Sequence, residues 1–130
     1  MRKIEEVREL FAKDRFATEN GAVVDEIGEK YSKCSLRLSL RHKNAMGDVM
    51  GGVYFTLADF AFAVASNWEK PSTVSISSDI RFLGTAKGET LCAVAKCLKD
   101  GRSTCCYRVD VTDGEGKIVA AVTITGYKLK

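Results

Sequence analysis

Gly51-Gly52-Val53-Tyr54-Phe55-Thr56-Leu57-Ala58-Asp59-Phe60-Ala61-Phe62-Ala63-Val64-Ala65-Ser66 decides how this chain folds. Apolar side chains fall at nearly every angle of a helical projection, which predicts a helix buried on all sides. It opens on two glycines and carries one acid, Asp59. Burying a carboxylate costs several kcal/mol, on the order of 3–5, unless it is paired, hydrogen-bonded or protonated. Asp59 therefore has either a structural partner or a chemical task. Pro71 disfavours helix just before it, so the helix should end near Lys70.

Outward from this helix the chain reads as strands. Lys33 to Arg41 alternates, with Cys34, Leu36, Leu38 and Leu40 on one face, which predicts a half-buried strand. Residues 22–27 predict a shorter one, and 42–52 a loop. Residues 72–83, 89–98, 102–112 and 117–128 are β-like, with turns at Asp100-Gly101 and Asp113-Gly114-Glu115-Gly116. Ile118, Ala120, Val122 and Ile124 should share one face, and the last three runs should form an antiparallel meander. Residues 3–16 carry Ile4, Val7, Leu10 and Phe11 at helical spacing, with Glu5 and Glu6 in the first turn. Two helices and about six strands, one helix apolar all round, predict an α+β architecture. An antiparallel sheet curls around the central helix and the N-terminal helix covers an edge or face.

At 130 residues the sequence fits a single domain, residues 1–130. A net charge of +3 with no basic-aromatic tract argues against nucleic acid as a partner. The N-terminus has no apolar leader, and the central apolar stretch is too short to span a bilayer. A cytoplasmic protein without a membrane partner is expected. Five cysteines without a Cys-x-x-Cys pair, and one histidine, predict reduced strand residues and no metal site.

Chemistry is expected at the start of the central helix. Gly51 lets a ligand approach the backbone, and the first turn offers free N–H groups and a positive dipole end, suited to an oxyanion. Asp59 lies eight residues on, ~12 Å along the axis, too far to serve its own helix start. A two-fold dimer resolves this by setting Asp59 of one subunit against the helix start of the other. Asn44 could donate an amide hydrogen bond near that place or cap its own loop. Ser75 could orient Asp59 or a water.

Asn44-Ala45-Met46-Gly47-Asp48-Val49-Met50-Gly51-Gly52, followed by Thr56-Leu57-Ala58-Asp59, resembles the hotdog-fold acyl-CoA thioesterases, PaaI-type branch. Val74-Ser75-Ile76, Ile80-Arg81-Phe82-Leu83, Lys87-Gly88-Glu89 and Lys99-Asp100-Gly101-Arg102 are similar to further segments of that family. The resemblance implies that the sheet wraps residues 52–67, and that the protein is a homodimer or homotetramer with sites between subunits. Asp59 would be general base or nucleophile, Gly51 the oxyanion donor, Asn44 and Ser75 supporting residues. It implies an acyl-CoA thioester as the small-molecule substrate, aryl-acyl groups included, with no cofactor beyond the substrate's own coenzyme A. Met50 stands where the family usually has histidine. A non-catalytic acyl-CoA binder and an enoyl-thioester hydratase are the alternatives.

Overall fold

The computed structural model describes residues 1–129. Two short helices come first, α1 (Ile4–Phe11) and α2 (Arg15–Glu19), followed by the strands β1 (Val23–Gly28) and β2 (Tyr31–Arg37). The central helix α3 (Gly51–Asn67) precedes β3 (Thr73–Phe82), β4 (Thr90–Asp100), β5 (Thr104–Asp113) and β6 (Ile118–Lys128). The six strands form one sheet in the order β1-β2-β4-β5-β6-β3, and every pairing is antiparallel. β4, β5 and β6 make the expected meander. The whole sheet wraps α3, as the apolar helix required.

Small residues allow that wrapping. Ala58 and Ala61 on the helix, with Ala93, Ala95 and Ala120 on the strands, are fully buried, so helix and sheet approach closely around Leu57, Leu91, Val109, Val122 and Ile124. Two polar contacts fix the helix against the sheet. Buried Ser32 on β2 donates to the carbonyl of Ala61 at 2.6 Å, and Trp68 Nε1 donates to Gly28 O at 2.7 Å. The Phe62 ring meets Tyr107 edge-on, with centroids 5.3 Å apart.

Several expectations need correction. The run 3–16 is not one helix: the chain turns after Phe11, where the N–H groups of Lys13 and Asp14 bond Leu10 O and Phe11 O, and restarts at Arg15. The alternation through Arg41 does not extend β2, which stops at Arg37. Leu40 is 89% exposed in a 3₁₀ turn, Leu40–His42, that tucks His42 inside. Ile118 is half exposed, because a register shift between Val111 and Thr112 puts Val119 inward instead.

α3 ends at Asn67 rather than Lys70, since the Asn67 amide takes over the turn into β3. Its Oδ1 accepts from Ser72 N at 2.8 Å and Thr73 N at 2.7 Å, and its Nδ2 donates to Thr73 O at 3.0 Å. Nor is α3 buried all round. Gly52, Thr56, Asp59, Ala63 and Ser66 form an accessible stripe at 4-3-4-3 spacing, on the side the sheet does not reach.

Candidate active site

Asp59 sits half-buried on the open stripe of α3, and no residue among those described pairs with it or hydrogen-bonds to it. Burial raises its pKa above the ordinary carboxylate value, and the charge of Asp14 raises it further. The carboxylate opens on a cleft of about 350 Å³ between α2 and α3, lined by Asp14, Arg15, Phe16, Phe55, Thr56 and Phe60. Burial raises the pKa of Asp14 as well. A partly desolvated acid with no ion-pair partner among the described residues, facing a cleft, is suited to proton transfer or nucleophilic attack.

The start of α3 is built for a different task. Met50 occupies the N-cap with φ −66° and ψ 136°, and its side chain makes no capping bond. The N–H of Val53 bonds back to Met50 O at 2.9 Å, but the N–H groups of Gly51 and Gly52 find no acceptor among the described residues. Two unclaimed donors at the positive end of a 17-residue helix could accept an anion. A Cβ at Gly51 would lie 2.8 Å from Cε1 of Phe82, so a side chain there displaces that ring. Tyr54 anchors this end, donating to Gly84 O at 3.3 Å and accepting from Ala86 N at 2.9 Å.

Asn44 serves its loop. Its Oδ1 accepts from the N–H groups of Met46 (2.9 Å) and Asp48 (3.1 Å), while Gly47 turns the chain at φ 85°. Its Nδ2 has no partner among the described residues. A bridge between Lys43 and Val49, and a bond from Met50 N to His42 O at 2.9 Å, hold the loop in place. His42 is structural. Ser39 N–H donates to its Nδ1 at 3.0 Å, which leaves the proton on Nε2, donated to Asn20 O at 2.6 Å. Ser75 lies exposed on β3, next to the bulge between Ser75 and Ser77.

Within one chain these groups stay apart. Gly51, Asn44 and Ser75 do not line the cleft at Asp59, and helix geometry puts Gly51 and Asp59 ~12 Å apart along the axis. The cleft also brings Asp14, Arg15 and Phe16 to Asp59, none of them a site candidate from sequence. They lie at the end of the run 3–16 expected to be one helix, although an aspartate just before Arg15-Phe16-Ala17 is a recognisable helix-start signal. The five cysteines all lie on strands and are unpaired, and burial pushes the Cys34 thiol up to about 12.

A six-stranded antiparallel sheet wrapped around a helix that begins at an unclaimed pair of amides and carries a lone acid is the hotdog arrangement. A profile of the thioesterase superfamily matches residues 46–120, from the loop before the helix to the first residues of β6. A putative esterase of Archaeoglobus fulgidus is 31% identical over 128 residues, covering 97% of this chain and 83% of that protein. Acyl-coenzyme A thioesterase PaaI of Escherichia coli is 28% identical over 112 residues, 85% of this chain and 80% of its own. A solved structure of a mutant of phenylacetic acid degradation protein PaaI from Thermus thermophilus superposes with a TM-score of 0.82 at 30% identity, covering 88% of this chain and 98% of that one. The chain belongs to the thioesterase superfamily, in its hotdog-fold, PaaI-type branch.

Proposed function

We propose that the protein hydrolyses an acyl-CoA thioester to the free acid and coenzyme A, in a homodimer whose two sites each join Asp59 of one subunit to the helix start of the other. The observation that carries this reading is Asp59 itself, a half-buried acid with a raised pKa, no partner among the described residues and a cleft in front of it. The ~12 Å between it and Gly51 within one chain requires the second copy.

β3 supports that assembly. It is an edge strand of ten residues, Thr73–Phe82, whose side chains are nearly all exposed, Val74, Ile76 and Phe82 among them. Antiparallel pairing of β3 with its copy continues the sheet through both subunits and brings the open stripes of the two α3 helices together. Pairing two such dimers gives the tetramer.

In the reaction, the thioester carbonyl oxygen lies against Gly51 N–H of one subunit, with Asn44 Nδ2 as a second donor. Asp59 of the other subunit takes a proton from water as the water attacks the carbonyl carbon. The tetrahedral oxyanion collapses, the carbon–sulfur bond breaks, and the thiolate leaves and is protonated to free coenzyme A. Attack by the Asp59 carboxylate itself, through a mixed anhydride that water then cleaves, uses the same parts. Ser75, on the strand at the dimer edge, orients the water or the acid. Aryl-acyl groups are within the substrate class, no cofactor takes part, and five unpaired thiols fit a reducing cytoplasm.

The test is thiol release from a panel of acyl-CoAs with the parent and Asp59→Asn. Loss of turnover by roughly 10²–10⁴-fold, with the fold and dimer mass retained, is expected for a general base. Turnover that survives Asp59→Asn refutes the assignment. Met50, a half-exposed thioether with no hydrogen to donate, favours a second reading, a module that binds acyl-CoA without cleaving it. Tight binding by the parent with no thiol release would establish that reading instead.

A further inference from the structure

Two side chains lie against the glycine pair that opens α3. A Cβ at Gly51 would meet three ring carbons of Phe82, Cε1 at 2.8 Å, Cζ at 3.2 Å and Cδ1 at 3.3 Å. A Cβ at Gly52 would meet the methyl Cε of Met50 at 2.8 Å. At both positions the nearest atoms in the space that a Cβ would take are carbon. The two amides without an acceptor among the described residues belong to these same glycines. The missing Cβ thus admits an apolar side chain on one flank of each residue, and the N–H, on a different bond, stays free.

Phe82 is fixed in this place from several directions. It is the last residue of β3, paired with Ala120 of β6, and Leu83 N–H bonds Val119 O at 2.8 Å just beyond it. Its ring leans on Tyr54, with centroids 6.5 Å apart and planes at 37°. The Tyr54 hydroxyl in turn holds Gly84 O and Ala86 N on the segment that follows. Yet the residue is 58% exposed. A ring backed by Gly51 and Tyr54 and open on its other side is a wall of the helix start, and core packing does not account for it. A hydrogen bond from an amide to a developing oxyanion strengthens as water is kept away, because the local dielectric falls. In the dimer proposed above, Phe82 stands where Gly51 of one subunit meets Asp59 of the other.

Resting on the hydrolysis proposed above, we infer that Phe82 is a positioning residue of that reaction: its ring lies against Gly51 and shields the Gly51 amide from water, so that the oxyanion is held in a dry corner. Phe82 acts through the amide and needs no contact with the acyl group. Met50 Cε covers Gly52 in the same way.

The experiment measures kcat and KM for thiol release from acetyl-, octanoyl- and phenylacetyl-CoA by the parent, Phe82→Ala, Phe82→Leu, Gly51→Ala and the double variant Gly51→Ala/Phe82→Ala, alongside melting temperature and dimer mass. Phe82→Ala should lower kcat roughly tenfold, a part of the roughly 10²–10³ that a whole oxyanion donor carries, with KM within about threefold of the parent. Phe82→Leu keeps apolar bulk over the amide and should recover most of that loss. Gly51→Ala pushes the ring off the amide and should show a similar loss, and the double variant should be no slower than either single one, because all of them remove one contact. A parental kcat in Phe82→Ala, an effect confined to KM, a leucine variant as slow as the alanine one, or losses that multiply in the double variant each overturns this inference alone. If Phe82→Ala does not fold or dimerise, Gly51→Ala reads the same effect with the ring displaced instead of deleted, and a parental kcat there overturns the inference. Absence of thiol release from all three substrates with the parent overturns this inference and the hydrolysis together.

Discussion

Gly51→Pro removes one hydrogen atom from the proposed site and almost nothing from the fold. Gly51 is the first residue of α3, where proline is favoured and its missing N–H breaks no helical bond. Met50, at φ −66° and ψ 136°, already has the extended backbone that a residue before proline needs. The new ring atoms meet Phe82, whose Cε1 lies 2.8 Å from a Cβ at this position. That ring is 58% exposed and can swing aside. Gly51→Ala carries the same Cβ and keeps the N–H, so the proline variant differs from it by the lost N–H and the ring carbon that replaces it. One oxyanion donor is worth about 10²–10³ in kcat, or ~2.7–4 kcal/mol, and the proline variant should lose that much relative to the alanine variant. Restricting the unfolded chain should leave its stability equal or higher by about 0.4–1 kcal/mol. Thiol release and thermal unfolding measured together check both halves. Equal turnover by the proline and alanine variants would show that the Gly51 amide holds no oxyanion.

Asp14→Asn should move the acid limb of the kcat/KM profile to lower pH, because the Asp14 charge adds to the burial that raises the Asp59 pKa. An unmoved limb would separate the two carboxylates. Asp59 binds its proton more tightly folded than unfolded, so its ionisation lowers stability as pH rises from the ordinary carboxylate range through the folded pKa. Asp59→Asn removes that loss, and its melting temperature should gain on the parent across the same window. Asn67→Ala deletes the three hydrogen bonds to Ser72 and Thr73 that hold the exit of α3, at about 1 kcal/mol net each, besides a longer one to Ser66 Oγ, and should lower the melting temperature by about 10 °C or more; a drop under about 3 °C would mean solvent replaces them. Met50→His restores a donor at the N-cap and should raise kcat several-fold, read by the same thiol assay; no gain would show the position to be inert.

The wrapped-helix architecture was legible because Gly51–Ser66 admits one environment and the strands around it carry clear turn signals. The misreadings share a cause. Thr56, Asp59 and Ser66 already trace a polar line on one side of α3, but alanine and glycine between them thin the contrast, so the open stripe read as interior. Leu40 continued an alternation that the His42 hydrogen bonds to Ser39 and Asn20 interrupt, and alternation says nothing of contacts that distant. Ile118 obeyed the pattern until a register slip, set by the turn beyond it, reversed the face. Asp59 and Gly51 stood out individually, since a lone acid and a glycine pair are local signals. Asp14 did not, because its importance comes from a cleft formed by segments some forty residues apart in sequence.

The two margins of the sheet are unequal. On β1 a bulge between Val24 and Glu26 breaks the ladder, and Arg8 Nε of α1 donates to Val24 O at 2.8 Å, occupying an acceptor that an incoming strand would need. β3 bulges too, between Ser75 and Ser77, and the Asn67 amide occupies Thr73 N and O at its start, but among the described residues no side chain bonds the backbone of the rest of the strand. In the dimer proposed above, strand-to-strand growth would therefore proceed once, open margin to open margin, and end at two copies, because the guarded margins left outside accept no further strand.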